Sequence, residues 1–171
     1  MAHGKNQRLR FKRRRDGETD YRRRMKLLRG ETPRAVVRIS NTQTICQLVE
    51  FNPEGDIVIA SVNGKALVDK YSWPEDASRK SIPASYLTGF ALAKNAISSG
   101  HESAILDIGL SASSKGSRVF AALKGMIDAG LEIPHGEDVL PDEDRINGMH
   151  IDASMGDKVK KSIKAIEEAS K

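Results

Sequence analysis

The sequence predicts an α/β fold of the α+β kind: a mixed sheet made of an antiparallel three-strand meander plus an α-β-α segment. A basic N-terminal extension precedes it and a C-terminal helix closes it. Three observations lead there. Three β-branched runs follow one another across tight turns. Two helical patterns then enclose one short apolar run, and packing helices on a sheet is the natural way to bury both. Finally, the charge is split along the chain. Residues 1–38 carry 14 Lys/Arg against 4 Asp/Glu, and residues 39–171 carry 14 against 19, which accounts for the net charge of +5 over 171 residues.

The elements can be justified in order. Residues 1–33 form the extension, with Asp16-Gly17 as a turn between two basic clusters. Residues 20–28 suit a short basic helix before Gly30, with too narrow an apolar stripe to hold it alone. The arm is expected to be disordered when free and to order on a partner. After Pro33, RAVVRIS (34–40), TICQLVEF (44–51) and IVIASVN (57–63) read as strands. Asn52-Pro53-Glu54-Gly55-Asp56 is a strong turn. Residues 64–82 are polar and read as a loop with at most one helical turn. Pro83 suits a first helical turn, with Ser81 or Ile82 near the cap, and the helix runs to about Ser99, where Gly100 fits the C′ position. AILDIG (104–109) reads as a buried strand, 109–117 as a small-residue loop and 117–130 as a second helix. LEIPHG (131–136) offers one more short strand, and 136–151 is acidic and irregular. Ser154 with Asp157 resembles a capping box opening a last helix, with Val159, Ile163 and Ile166 on one side. The chain thus divides into an arm (1–33), a globular domain (34–151) and a C-terminal helix (152–171).

Composition sets the function class. Hydrophobic residues make up 39% and charged residues 30%, a globular but highly charged mix. A basic arm on a mildly acidic body points to a polyanion, nucleic acid before membrane. The single cysteine, Cys46, rules out an internal disulfide and fits a reducing, cytoplasmic setting as a small apolar strand residue. No secretory signal is expected from MAHGKNQRLRFKRRR, and no stretch reaches the roughly 18 apolar residues of a membrane span.

The arm is the strongest chemical signal. Lys12, Arg13, Arg14 and Arg15, then Arg22, Arg23 and Arg24, cannot bury their charge without partners. RNA phosphates supply those partners, and the guanidinium fork suits them. Phe11 and Tyr21 interleave with the arginines and can stack on unpaired bases. The loop GLSASSKGS lies where a phosphate-binding loop would. However, Ser114 and Gly116 break the G-x-x-x-x-G-K-[ST] pattern, and Ser113 breaks G-x-S-x-G. An anion site at the helix start, with Lys115 and backbone N–H groups, remains open beside a plain connecting loop. His3, His101, His135 and His150 lack metal-ligand spacing, and no metal or cofactor is expected. Asp107, inside an apolar strand, reads as a structural carboxylate with a catalytic alternative. Trp73 and Tyr71 either stack on a base or pin their loop.

FKRRRDGETDYRRRMKLL, TPRAVVRISN, TICQLVEF, SYLTGFALAKNA, AILDIGLSASSKGSRVFAALKGMIDAGLEIPHG and LPDEDRINGMHI occur in that order. Together they closely resemble the archaeal-type, 5S-rRNA-binding family of large-subunit ribosomal proteins, over nearly the whole chain. The resemblance implies a structural constituent of the large subunit, not an enzyme, in the cytoplasm within the ribosome. Such a protein binds 5S rRNA, touches 23S rRNA and neighbouring large-subunit proteins, and helps attach the 5S particle at the central protuberance. It has no membrane partner and no small-molecule substrate. By position, it implies RNA contacts from Arg8, Arg10, Lys12, Arg13, Arg14, Arg15, Tyr21, Arg22, Arg23, Arg24 and Lys26, and from Ser114, Lys115, Gly116, Ser117 and Arg118. The chain departs from the family at 73–82, where WPEDASRKSI replaces a glycine-rich pattern. Two alternatives stand beside this reading. One is a general nucleic-acid-binding accessory factor. The other is a nucleotide- or phosphate-handling enzyme using Asp107, Ser113 and Lys115 around the loop 109–117.

Overall fold

The computed structural model describes residues 4, 8 and 10–170. Two helices occupy the arm, α1 (Lys12–Arg15) and α2 (Tyr21–Leu28). Strands β1 (Arg34–Ile39), β2 (Thr44–Glu50) and β3 (Ile57–Asn63) form the meander, followed by α3 (Gly64–Lys70) and α4 (Ile82–Ser98). β4 (Ile105–Asp107), α5 (Arg118–Asp128), α6 (Glu143–Ile146) and α7 (Met155–Ala169) complete the chain.

The sheet order is β3-β2-β1-β4. β1 pairs antiparallel with β2, and β2 with β3. β4 pairs parallel with β1, setting Asp107 opposite Val36. The expected mixed sheet is therefore present. Strand alternation puts Ala35, Val37, Cys46, Leu48 and Val62 in one core with Leu87, Leu92, Leu123 and Met126. Each of these larger side chains contributes about 1.5–3 kcal/mol by leaving water. The other face carries Arg34, Val36 and Arg38. β3 forms the sheet margin, and its Ile57 and Val58 stay half exposed.

The two central helices cross with almost no gap. A Cβ on Gly89 would lie 2.0 Å from the Ala122 carbonyl oxygen, and one on Gly125 would lie 2.1 Å from that of Tyr86. Each helix therefore uses glycine where the other's backbone arrives. Ser81 caps α4 by accepting from the Ala84 N–H, with Pro83 in the first turn, as the sequence indicates. Both helices end alike: His101 N–H reaches the Ala96 carbonyl and Gly100 N–H that of Ile97, and Leu131 and Gly130 repeat the pattern on Met126 and Ile127. Gly100 and Gly130 have the positive φ this ending requires.

Four expectations need correction. Residues 64–70 form a helix rather than part of a loop: Asn63 accepts the Ala66 N–H, and Leu67 is fully buried. Tyr71 and Trp73 are buried too, so they pin the following segment and present no face to a base. LEIPHG adds no strand, only one parallel bridge between Ser103 and Glu132. Ser154 does not close a capping box. Its backbone N–H and hydroxyl both donate to the Asp152 carboxylate instead, which holds that carboxyl below its ordinary range. α7 nevertheless buries Val159 and Ile166 and exposes Lys160, Lys161 and Lys164.

Candidate nucleic-acid interface

The arm is built from two short helices joined by a turn at Gly17, whose φ of 67° suits glycine. Lys12, Arg13, Arg14 and Arg15 fill one turn and are all exposed. Asp20 starts α2 by accepting the N–H groups of Arg22 and Arg23, a common N-cap arrangement. Tyr21, Arg24, Leu27 and Leu28 are half-buried, while Arg22, Arg23, Met25, Lys26 and Arg29 are exposed. The helix thus rests on a stripe spaced three and four residues apart and turns its other cations outward. Arg14 lies 4.8 Å from the centre of the Tyr21 ring, an attraction of about 0.5–1 kcal/mol at such a site. Arg13 approaches Glu18 at 3.9 Å with both ends exposed, which contributes little. Among the described residues, Arg8, Arg10, Lys12, Arg15, Arg22, Lys26 and Arg29 make no ion pair.

Beneath α2 lies a network of five charged side chains. Arg34 is 3% exposed, and its two terminal nitrogens donate to Asp107 Oδ2 at 2.8 Å and Asp56 Oδ2 at 2.6 Å. Asp107 Oδ1 accepts from Arg38 Nη2 at 3.1 Å and from the Gly109 N–H at 2.9 Å. Arg38 Nη1 also donates to the Asp107 carbonyl at 2.7 Å. Arg24 Nη2 reaches both Asp56 oxygens, at 2.9 and 2.8 Å. Burial pushes the Asp107 carboxyl up, but Arg38, the Gly109 N–H and Arg34 outweigh it and hold it below the ordinary range. Burial likewise acts on Asp56 and is outweighed by Arg24 and Arg34. Gly109 has a φ of 60°, and a Cβ there would lie 2.8 Å from the Arg38 guanidinium carbon.

The structure brings one end of the loop to the arm. Arg23 Nη1 donates to the Gly109 carbonyl at 2.9 Å. A cleft of about 450 Å³ opens there, lined by Glu18, Asp20, Arg23, Arg38, Asp107 and Ser111 among others. The loop's other end is held elsewhere: Gly116 N–H donates to the Val139 carbonyl at 2.9 Å. Ser114, Lys115 and Arg118 are exposed there, and Gly116 and Ser117 are half-buried.

The catalytic alternative for Asp107 meets this geometry directly. Both its carboxylate oxygens are taken by arginine and backbone donors, while Ser113 and Lys115 project from an exposed loop. Of the histidines, His3 lies outside the described residues. His135 Nδ1 sits 2.7 Å from the Ile133 carbonyl, and no group of ligands able to hold a metal ion occurs among the described residues. Arg34, Arg38, Asp56, Gly109 and Arg29 were not singled out by the sequence reading. Two arginines four apart in a strand share one face, and that was the available signal for the first pair.

A mixed-sheet body carrying a row of outward arginines and lysines defines a class of non-catalytic, polyanion-binding proteins. Comparison with known proteins narrows the class. Residues 5–102 and 99–136 match the family described as "Ribosomal large subunit proteins 60S L5, and 50S L18", and the chain belongs to that family of large-subunit ribosomal proteins rather than to any enzyme family. Among its relatives, the "Large ribosomal subunit protein uL18" of Methanobrevibacter smithii is 54% identical over 151 residues, 88% of this chain and 77% of the relative. The protein of the same name from Korarchaeum cryptofilum is 49% identical over 93% of this chain and 80% of its own. That of Methanoregula boonei is 46% identical over 99% and 95%.

Proposed function

We propose that this large-subunit ribosomal protein binds 5S rRNA, also touches 23S rRNA and neighbouring ribosomal proteins, and helps attach the 5S particle at the central protuberance. One observation carries the reading: the arm turns a dense set of cations outward with few acidic partners, on a body that is itself acidic. Arg8, Arg10, Lys12, Arg13, Arg14, Arg15, Arg22 and Lys26 neutralise phosphates. Tyr21 stacks on a base where Arg14 leaves its ring accessible. Ser114, Lys115, Gly116, Ser117 and Arg118 form a second point of contact. In this division of labour, 1–33 holds RNA, 34–151 sets the geometry and 152–171 buttresses α4.

The test is the salt dependence of affinity. Alanine at Arg13, Arg14 and Arg15 together is expected to weaken 5S rRNA binding and to lower the slope of log affinity against log salt by roughly one for each phosphate that is no longer neutralised. Unchanged affinity and slope would remove the arm from the interface. Equal competition by an unrelated duplex of the same length would favour a general nucleic-acid-binding factor.

A further inference from the structure

Arg24 differs from the other arginines of the arm, and the difference assigns it a separate task. We propose that Arg24 is a positioning residue: with Asp56 it fastens α2 to the body, so that the outward cations of the arm meet RNA at a fixed angle. The proposal rests on the reading that the arm binds RNA.

Three features support it. Arg24 is half-buried, and one of its terminal nitrogens bonds both oxygens of Asp56. That carboxylate is itself held by Arg34 at 2.6 Å, and Arg34 is held in turn by Asp107 on β4. Arg24 is therefore tied into the buried framework of the sheet and not merely to a mobile surface acid. Second, the anchoring has two points. Arg23, the next residue, donates to the Gly109 carbonyl beyond β4, while Asp56 lies in the turn before β3. Adjacent residues of one helix held at separate places fix its rotation about its own axis, which a single anchor would leave free. Third, the charges nearly balance. Arg24, Arg34 and Arg38 face Asp56 and Asp107 within one network, leaving little excess charge for a phosphate. Arg22 and Lys26, on the same helix, are exposed and make no ion pair among the described residues.

Holding a binding element in its bound geometry strengthens association by reducing the order that must be imposed at the moment of binding. The signature has an unusual sign. Asp56→Asn removes a negative charge, so electrostatics alone would tighten RNA binding, whereas loss of the fastening weakens it. The experiment titrates full-length protein with 5S rRNA over a salt series, using Asp56→Asn, Arg24→Gln and, as comparator, Arg22→Gln. Arg24→Gln keeps the Asp56–Arg34–Asp107 core, so it reports even where Asp56→Asn unfolds. Asp56→Asn and Arg24→Gln are each expected to weaken affinity roughly three- to tenfold with an unchanged salt slope. Arg22→Gln is expected to lower the slope by roughly one. Amide hydrogen exchange of residues 21–28 in the RNA-free protein gives an independent measure: both fastening variants speed it and Arg22→Gln does not. Tighter binding by Asp56→Asn, a slope change in Arg24→Gln equal to that of Arg22→Gln, or unaltered exchange in both fastening variants would overturn the proposal. If Arg22→Gln and the Arg13–Arg14–Arg15 triple variant alike leave RNA binding unchanged, the RNA reading of the arm fails. Faster exchange in the two fastening variants would still establish the fastening.

Discussion

Asp107 shows how one side chain can organise several others. It accepts from Arg34, Arg38 and Gly109, and Arg34 is too deeply placed to find water instead. Asp107→Asn removes the negative charge from a buried pair and is expected to cost about 3 kcal/mol, measured by urea denaturation at pH 7. Acid should act on the same group. The folded Asp107 and Asp56 carboxyls titrate below their unfolded value of roughly 3.9. Their stabilising effect is complete above that value and disappears as pH falls through the lower, folded one. The denaturation midpoint should hold between pH 7 and 5 as far as these groups are concerned and decline below about pH 4, less steeply in Asp107→Asn. A variant with the wild-type acid profile would show that Asp107 has no such linkage. The sequence marked Asp107 as a structural carboxylate because apolar residues flank it. It could not name the partners, which lie some seventy positions away and meet it only when β4 aligns with β1. Cys46 was simpler to read: it sits fully buried in β2, where burial pushes its thiol up and keeps it protonated.

At the scale of elements, the α4–α5 crossing carries the largest local constraint. Gly125→Ala would set a methyl group against the Tyr86 carbonyl, and neither backbone can retreat without disturbing the core beneath. The expected loss is about 3 kcal/mol or more, visible as a lower urea midpoint. A loss below about 1 kcal/mol would mean the helices can separate at little cost. Such glycines look like helix-weakening residues in a linear reading, since propensity counts only their own backbone. The meander and α4 were legible because their signals are local: β-branched runs between turn residues, and Ser81 ahead of Pro83. α3 was not, because Asn63-Gly64 reads as a turn and only the fold shows Leu67 entering the core. Ser154 misled for a related reason: Asp152, two residues earlier, competes for its hydroxyl and N–H. The candidate interface was legible as a composition and not as a geometry. The arginine runs announced a polyanion, while the division between outward Arg22 and anchored Arg24 depends on Asp56, which the sequence presents only as a turn residue.

Across the whole molecule, stability and recognition fall on different residues. The triple alanine variant at Arg13, Arg14 and Arg15 should change thermal stability by no more than about 0.5 kcal/mol, because these side chains are exposed and bury nothing. A large drop in melting temperature would mean that α1 supports the body. The acidic balance of residues 39–171 directs nucleic acid toward the arm and away from the rest of the surface.

The margin of the sheet has a consequence of its own. Among the described residues no strand pairs with the outer side of β3, and the apolar side chains of Ile57 and Val58 are half exposed there. An unpaired strand of this kind is a template for joining a second copy. Synthesis of this chain ahead of its ribosomal surroundings therefore favours clumping of newly made copies, and matching its supply to ribosome assembly would limit that loss.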